Sequence, residues 1–105
     1  MALALINGIT MEYEERGAGP PLVLIYGYGG SRRQWSEDFL DYLARDFRVI
    51  TFDNRGTGGS SKPDAPWTMA DFAADSVGLF DQLGLETTFL LGLSMGGMIA
   101  IETAL

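Results

Sequence analysis

Thr88-Phe89-Leu90-Leu91-Gly92-Leu93-Ser94-Met95-Gly96-Gly97 is the stretch from which the rest of this chain is read. Its first four residues, Thr88-Phe89-Leu90-Leu91, read as an apolar strand. A G-x-S-x-G pentapeptide, Gly92 to Gly96, follows, and Met98 to Leu105 reads as a helix. A serine at a sharp strand-to-helix turn has its hydroxyl lifted above the sheet. The turn needs glycines, because a Cβ on either flank would collide with the neighbouring elements. Ser94 is therefore a candidate nucleophile. The Met95 N–H, beside a helix N-terminus that favours negative charge, is a candidate oxyanion donor. A plainer reading of the same letters is a helix-opening turn whose glycines relieve crowding and whose serine caps the helix.

Upstream, strand and helix patterns alternate. Asn7-Gly8 lies between two short runs and signals a type I′ hairpin turn, which needs positive φ at both central residues. Ile9, Met11 and Tyr13 then alternate with Thr10, Glu12 and Glu14, the period of a half-buried strand. Leu22-Val23-Leu24-Ile25 is a continuous apolar strand, followed by the glycine loop Gly27-Tyr28-Gly29-Gly30, with Ser31 as a helix cap. Trp35, Phe39, Leu40 and Leu43 recur at helical spacing. Phe47 to Phe52 is the next strand, and Asn54 to Pro66 is loop. Thr68 with Asp71 makes a capping box, with Asp in place of the usual Glu or Gln. Met69, Phe72, Ala73, Val77, Phe80 and Leu83 line the helix that Gly84 stops. A hairpin followed by strand–helix alternation implies an α/β fold: a mostly parallel sheet with helices on both faces.

Composition narrows the chemistry. The 105 residues suit one domain, and 14 acidic against 7 basic side chains give a net charge of −7, which repels nucleic acid. No cysteine is present, so disulfides and thiolate chemistry are excluded. Nor is there a histidine, the usual general base near neutral pH and the commonest metal ligand. No cofactor or metal is implied. The absence of a signal-peptide pattern or a long apolar segment sets the expectation of a soluble, cytoplasmic protein without a membrane partner. Gly27-x-Gly29 and Gly56-x-Gly58 invite a nucleotide-binding reading. Arg32 and Ser61 stand where the last glycine of G-x-G-x-x-G belongs. Glu12/Glu14/Glu15 and Glu37/Asp38/Asp41 are expected to be solvated faces.

Ile25-Tyr26-Gly27-Tyr28-Gly29-Gly30-Ser31, Asp53-Asn54-Arg55-Gly56-Thr57-Gly58-Gly59-Ser60 and Gly92-Leu93-Ser94-Met95-Gly96-Gly97 together resemble the α/β-hydrolase superfamily. The texture is most similar to its small esterases, enol-lactonases and cofactor-free haloperoxidases. Epoxide hydrolases and haloalkane dehalogenases of the superfamily have Asp at the nucleophile position, against which Ser94 argues. The resemblance implies that residues 1–105 are the N-terminal part of one α/β-hydrolase domain, truncated after the helix that follows Ser94. It implies a serine hydrolase acting on an ester, thioester or lactone through an acyl-enzyme, with the N–H of Tyr28 joining that of Met95 in an oxyanion hole. The family order of Ser, acid, then His leaves both triad partners outside this chain, since only 11 residues follow Ser94. Isolated, the chain is then expected to be nearly inert. Asp53 opens a turn in the family and, with Arg55, is expected to order the glycine-rich loop. Tyr26 stands where family members commonly have histidine. The bare fifth-strand edge implies a complementary C-terminal segment or self-association. Two further classes stay open: a non-catalytic module of this fold that binds a small molecule or a partner, and a nucleotide-binding α/β domain.

Overall fold

The computed structural model describes residues 2–27, 31–62 and 67–104. Strands β1 (Ala2–Ile6), β2 (Ile9–Arg16), β3 (Pro21–Ile25), β4 (Arg48–Phe52) and β5 (Phe89–Gly92) form one sheet in the order β1-β2-β4-β3-β5. The first two pair antiparallel, β2 pairs antiparallel with β4, and β3 lies parallel between β4 and β5. The β1–β2 turn carries the positive φ values that its letters demand, 51° at Asn7 and 79° at Gly8.

Among the described residues, three α-helices cover the sheet: α1 (Glu37–Ala44), α2 (Met69–Leu83) and α3 (Met95–Ala104). Alternation along β3 and β4 divides the core in two. Val23, Ile25, Ile50 and Phe52 join Phe72 and Leu79 of α2 and Ile99 of α3 on one face. Leu22, Leu24 and Val49 meet Trp35 and Leu40 on the other. The α/β architecture, with a leading hairpin and helices on both faces, is the one that the alternation of apolar runs implies.

The helix ends follow from local chemistry. Thr68 and Asp71 exchange hydrogen bonds in a full capping box at the start of α2, and Gly84 ends it with φ 70°. Ser31 caps a short 3₁₀ turn, Arg32–Gln34, and Ser36 caps α1, so Trp35 precedes that helix. Phe39 instead stacks on Trp35 at 6.1 Å between ring centroids. The final helix begins three residues before the expected Met98. Gly96 and Gly97 are poor helix formers, which hides its first turn from a propensity reading.

The acidic runs correct the sequence reading. Glu12 is buried, although the alternation of β2 assigns it to solvent. It pairs with the Arg32 guanidinium at 3.3 Å, and Glu14 pairs with the same group at 3.2 Å. Over β2 the second face of the sheet is thus covered by an ionic layer. Arg16 gathers Glu14, Glu37 and Asp41 at 2.8–2.9 Å, so Glu37 and Asp41 are exposed but ion-paired. A cleft of about 340 Å³ opens there, lined by Glu14, Arg16, Arg32, Arg33, Glu37 and Thr51 beside Leu40. Among the described residues, no helix is long and apolar enough to cross a membrane.

Candidate active site

Ser94 occupies the turn between β5 and α3, at the end of the sheet where the parallel strands finish. It is exposed and has φ 58°, in the left-handed region that L side chains rarely adopt. A non-glycine residue held there costs of order 1–3 kcal/mol unless the surroundings enforce it. They do so closely. A Cβ on Gly92 would run into the backbone of Gly96, and one on Gly96 would run into Ile25 O and Tyr26 O. The Leu93 N–H donates to Ile25 O at 3.1 Å, tying the turn to the end of β3.

The N–H groups of Gly96 and Gly97 donate to Leu93 O and Ser94 O, both at 2.9 Å. Met95 is the first residue of α3, where a helix has no carbonyl of its own to receive the N–H. Gly27 lies directly opposite. A Cβ placed on it would sit 2.9 Å from Leu93 O, 3.0 Å from Ser94 Cβ and 3.6 Å from Met95 N. The loop after β3 and the turn around Ser94 therefore meet backbone to backbone. Tyr28, the other expected oxyanion donor, lies outside the described residues. The Tyr26 ring meets Trp35 edge-on at 5.2 Å.

The loop after β4 is built around Asp53, which is fully buried. Its Oδ1 accepts the Arg32 N–H at 2.7 Å and its Oδ2 accepts the Gly59 N–H at 2.9 Å. The Ser60 hydroxyl donates to Asp53 O at 2.6 Å and receives the Glu12 N–H at 2.9 Å. Asp53 thus orders the glycine-rich loop as expected. Arg55, itself in that loop, ties it to α2. It forks onto the buried carboxylate of Asp75 on α2, at 2.7 and 2.9 Å. That contact raises the pKa of Arg55 further above its ordinary value. Sequence reasoning missed Asn54, whose Nδ2 donates to Tyr26 O at 3.3 Å. It also missed Arg32, since nothing local marks a lone arginine as the partner of a strand glutamate.

The family model described as the alpha/beta hydrolase fold matches residues 20–105. The chain belongs to the α/β-hydrolase fold family. Among the relatives of this α/β-hydrolase chain, a putative non-heme chloroperoxidase from Synechocystis sp. is 43% identical over 88 residues. The match covers 84% of the chain and 32% of the relative. A soluble epoxide hydrolase from Corynebacterium sp. is 37% identical over 101 residues, 96% of the chain and 35% of that protein. In solved structures, the enol-lactonase from Burkholderia xenovorans LB400 superposes with a TM-score of 0.91 at 32% identity. It covers 95% of the chain and 40% of the lactonase. The chain therefore spans about a third of the length of the curated relatives it matches.

Proposed function

We propose that this chain carries the nucleophile-bearing part of a serine hydrolase that cleaves an ester, thioester or lactone. Ser94 Oγ attacks the substrate carbonyl carbon and gives its proton to a general base. The oxyanion that forms is held by the N–H groups of Met95 and Tyr28. Collapse of this intermediate expels the alcohol or thiol, which takes the proton back, and water then hydrolyses the acyl-enzyme. The observation that carries the reading is the left-handed backbone of Ser94 at an exposed strand-to-helix turn, enforced by glycines that leave no room for a methyl group. The matches include epoxide hydrolases as well as an enol-lactonase. Serine at position 94 is the feature that favours acyl transfer over epoxide opening.

No histidine occurs among the 105 residues. The base and the acid that orients it then belong to a longer protein or to a complementary chain. The outer edge of β5 is where that segment would dock, because among the described residues β5 pairs with β3 alone and its Phe89 is 61% exposed. The same absence of histidine favours a second reading, a non-catalytic module of this fold in which the turn at Ser94 is structural.

A fluorophosphonate probe separates the two. Intact mass is measured under denaturing conditions before and after exposure of the folded material. Probe on the Ser94-bearing chain, lost in Ser94→Ala, is the expected result when the complementary segment is present. Absence of labelling in that complete material would remove the acyl-enzyme reading.

A further inference from the structure

The charged cleft between α1 and β2 has hydrogen-bonding capacity left over at both of its ends. At one end, Arg16 donates to one oxygen of Glu37 at 2.8 Å and one of Asp41 at 2.9 Å. The second oxygen of each accepts nothing among the described residues, and the two side chains are 76% and 71% exposed. At the other end stands the Arg33 guanidinium, 61% exposed. Its carboxylate contact among the described residues is Glu12 Oε1 at 3.8 Å, an oxygen that already lies 3.3 Å from Arg32 Nη2. A guanidinium is a fork of N–H donors. Among the described residues, the fork of Arg33 makes no hydrogen bond.

Glu14 stands between the two ends, accepting from Arg16 at 2.9 Å and from Arg32 at 3.2 Å. Directly opposite it on β4 is Thr51, which is 5% exposed and lines the cleft. The Thr51 hydroxyl makes no hydrogen bond among the described residues. That is costly for a buried polar group unless the cleft itself supplies a partner. Leu40, 3% exposed, adds an apolar wall. The volume of about 340 Å³ is that of a small-molecule site.

Charge decides the class of ligand. Around the cleft the carboxylates of Glu12, Glu14, Glu37, Asp41 and Asp53 outnumber the guanidinium groups of Arg16, Arg32 and Arg33, which opposes an anion. A cation would be drawn to Glu37 and Asp41 but repelled by Arg33. A zwitterion meets both ends. Its charges must be well separated, because Glu14 and Arg16 intervene between the arginine end and Glu37. We propose that the cleft binds a small ω-amino carboxylate, with its carboxylate on Arg33 and its ammonium on Glu37 and Asp41. The methylene chain between them lies over Leu40 and Thr51. Ser94 is not among the lining residues, and β3 separates β4 from β5, so the site stands whatever reaction the serine performs.

The test follows the amide NMR signals of Leu40 and Thr51 in the complete folded protein as 6-aminohexanoate is added at constant ionic strength. A ligand of about nine non-hydrogen atoms on an open cleft is expected to bind with a Kd of about 1–10 mM. Hexanoate and hexylamine each carry one of the two charges and should bind about tenfold more weakly. Glycine, whose charges are adjacent, should cause no shift in the same range. Glu37→Gln is expected to weaken 6-aminohexanoate about threefold to tenfold and to leave hexanoate unaltered. Arg33→Gln should weaken it as much and leave hexylamine unaltered. Both replaced side chains are exposed, so the packed layers are kept. Arg45→Gln, which removes an exposed cation outside the cleft, should change nothing. Hexanoate as tight as 6-aminohexanoate would make this an anion site, and hexylamine as tight a cation site. Either result overturns the proposal. Equal binding of glycine overturns the separation of charges, and no shift with any of the four compounds overturns the site itself.

Discussion

The α-carbon of Gly96 lies so close to the carbonyls of Ile25 and Tyr26 that even a methyl group would push α3 away from the end of β3. Gly96→Ala is expected to cost about 1–3 kcal/mol in urea unfolding, the usual range for an overpacked site. It should also displace Met95 N–H from the position where an oxyanion would be held. Thr68 is a gentler case. Its hydroxyl accepts the Asp71 N–H at 3.1 Å, so Thr68→Ala removes the cap of α2. A loss of about 1 kcal/mol, read as a lower Tm with β-sheet signal retained, is the expected outcome. Residues such as Thr68 and Gly84 are legible in sequence because their partners lie within four positions along the chain. Asn54 is not legible, because the carbonyl that it holds is 28 residues away.

Among the elements, β2 differs most from its pattern. Alternation places Glu12 and Glu14 on one face of that strand but does not say what lies over them. The 3₁₀ turn before α1 brings Arg32 there, and its side chain and that of Glu12 are each only 6% exposed. Removing one partner of such a pair leaves a buried charge uncompensated. Arg32→Met should therefore destabilise the chain by about 3–5 kcal/mol in urea titrations, more than an exposed arginine would. The prediction fails if the midpoint moves no further than for Arg45→Met, whose parent residue is exposed. The edge strand β5 belongs to the same scale. Its short apolar run was readable, and so was its position as the strand leading into Ser94. Its neighbour was not, since β3 rather than β4 lies beside it. Phe89→Lys places a charge on that edge and is expected to reduce self-association in light scattering at high concentration.

Over the whole molecule the acidic excess interacts with pH through particular groups. The hydrogen bond from Arg16 holds the Glu14 carboxyl below its ordinary pKa, and the Thr68 N–H does the same for Asp71. Each binds its proton more weakly folded than unfolded. The stability each contributes is complete above the ordinary carboxylate range and drains away as pH falls through the lowered folded value. Tm should therefore hold from pH 7 to about 5 and decline below it, with a shallower decline in Asp71→Asn. The class of fold was readable because the strand–helix alternation repeats along the whole chain. The strand order needed more than the periods, since β4 departs from sequence order to lie between β2 and β3.

That strand order also bears on how the chain is made. A ribosome delivers the β1–β2 hairpin and then β3, but neither is the partner of the other. Both await residues 48–52, which pair with β2 through Tyr13↔Phe52 and with β3 through Val23↔Ile50. At the ~5–20 residues per second of synthesis, the hairpin's inner edge stays unpaired for a few seconds after it forms. Over that interval Glu12, Glu14, Glu15 and Arg16 make the nascent edge a charged one. The carboxylates that later meet Arg32 and Arg48 thus discourage pairing with other nascent chains before β4 emerges.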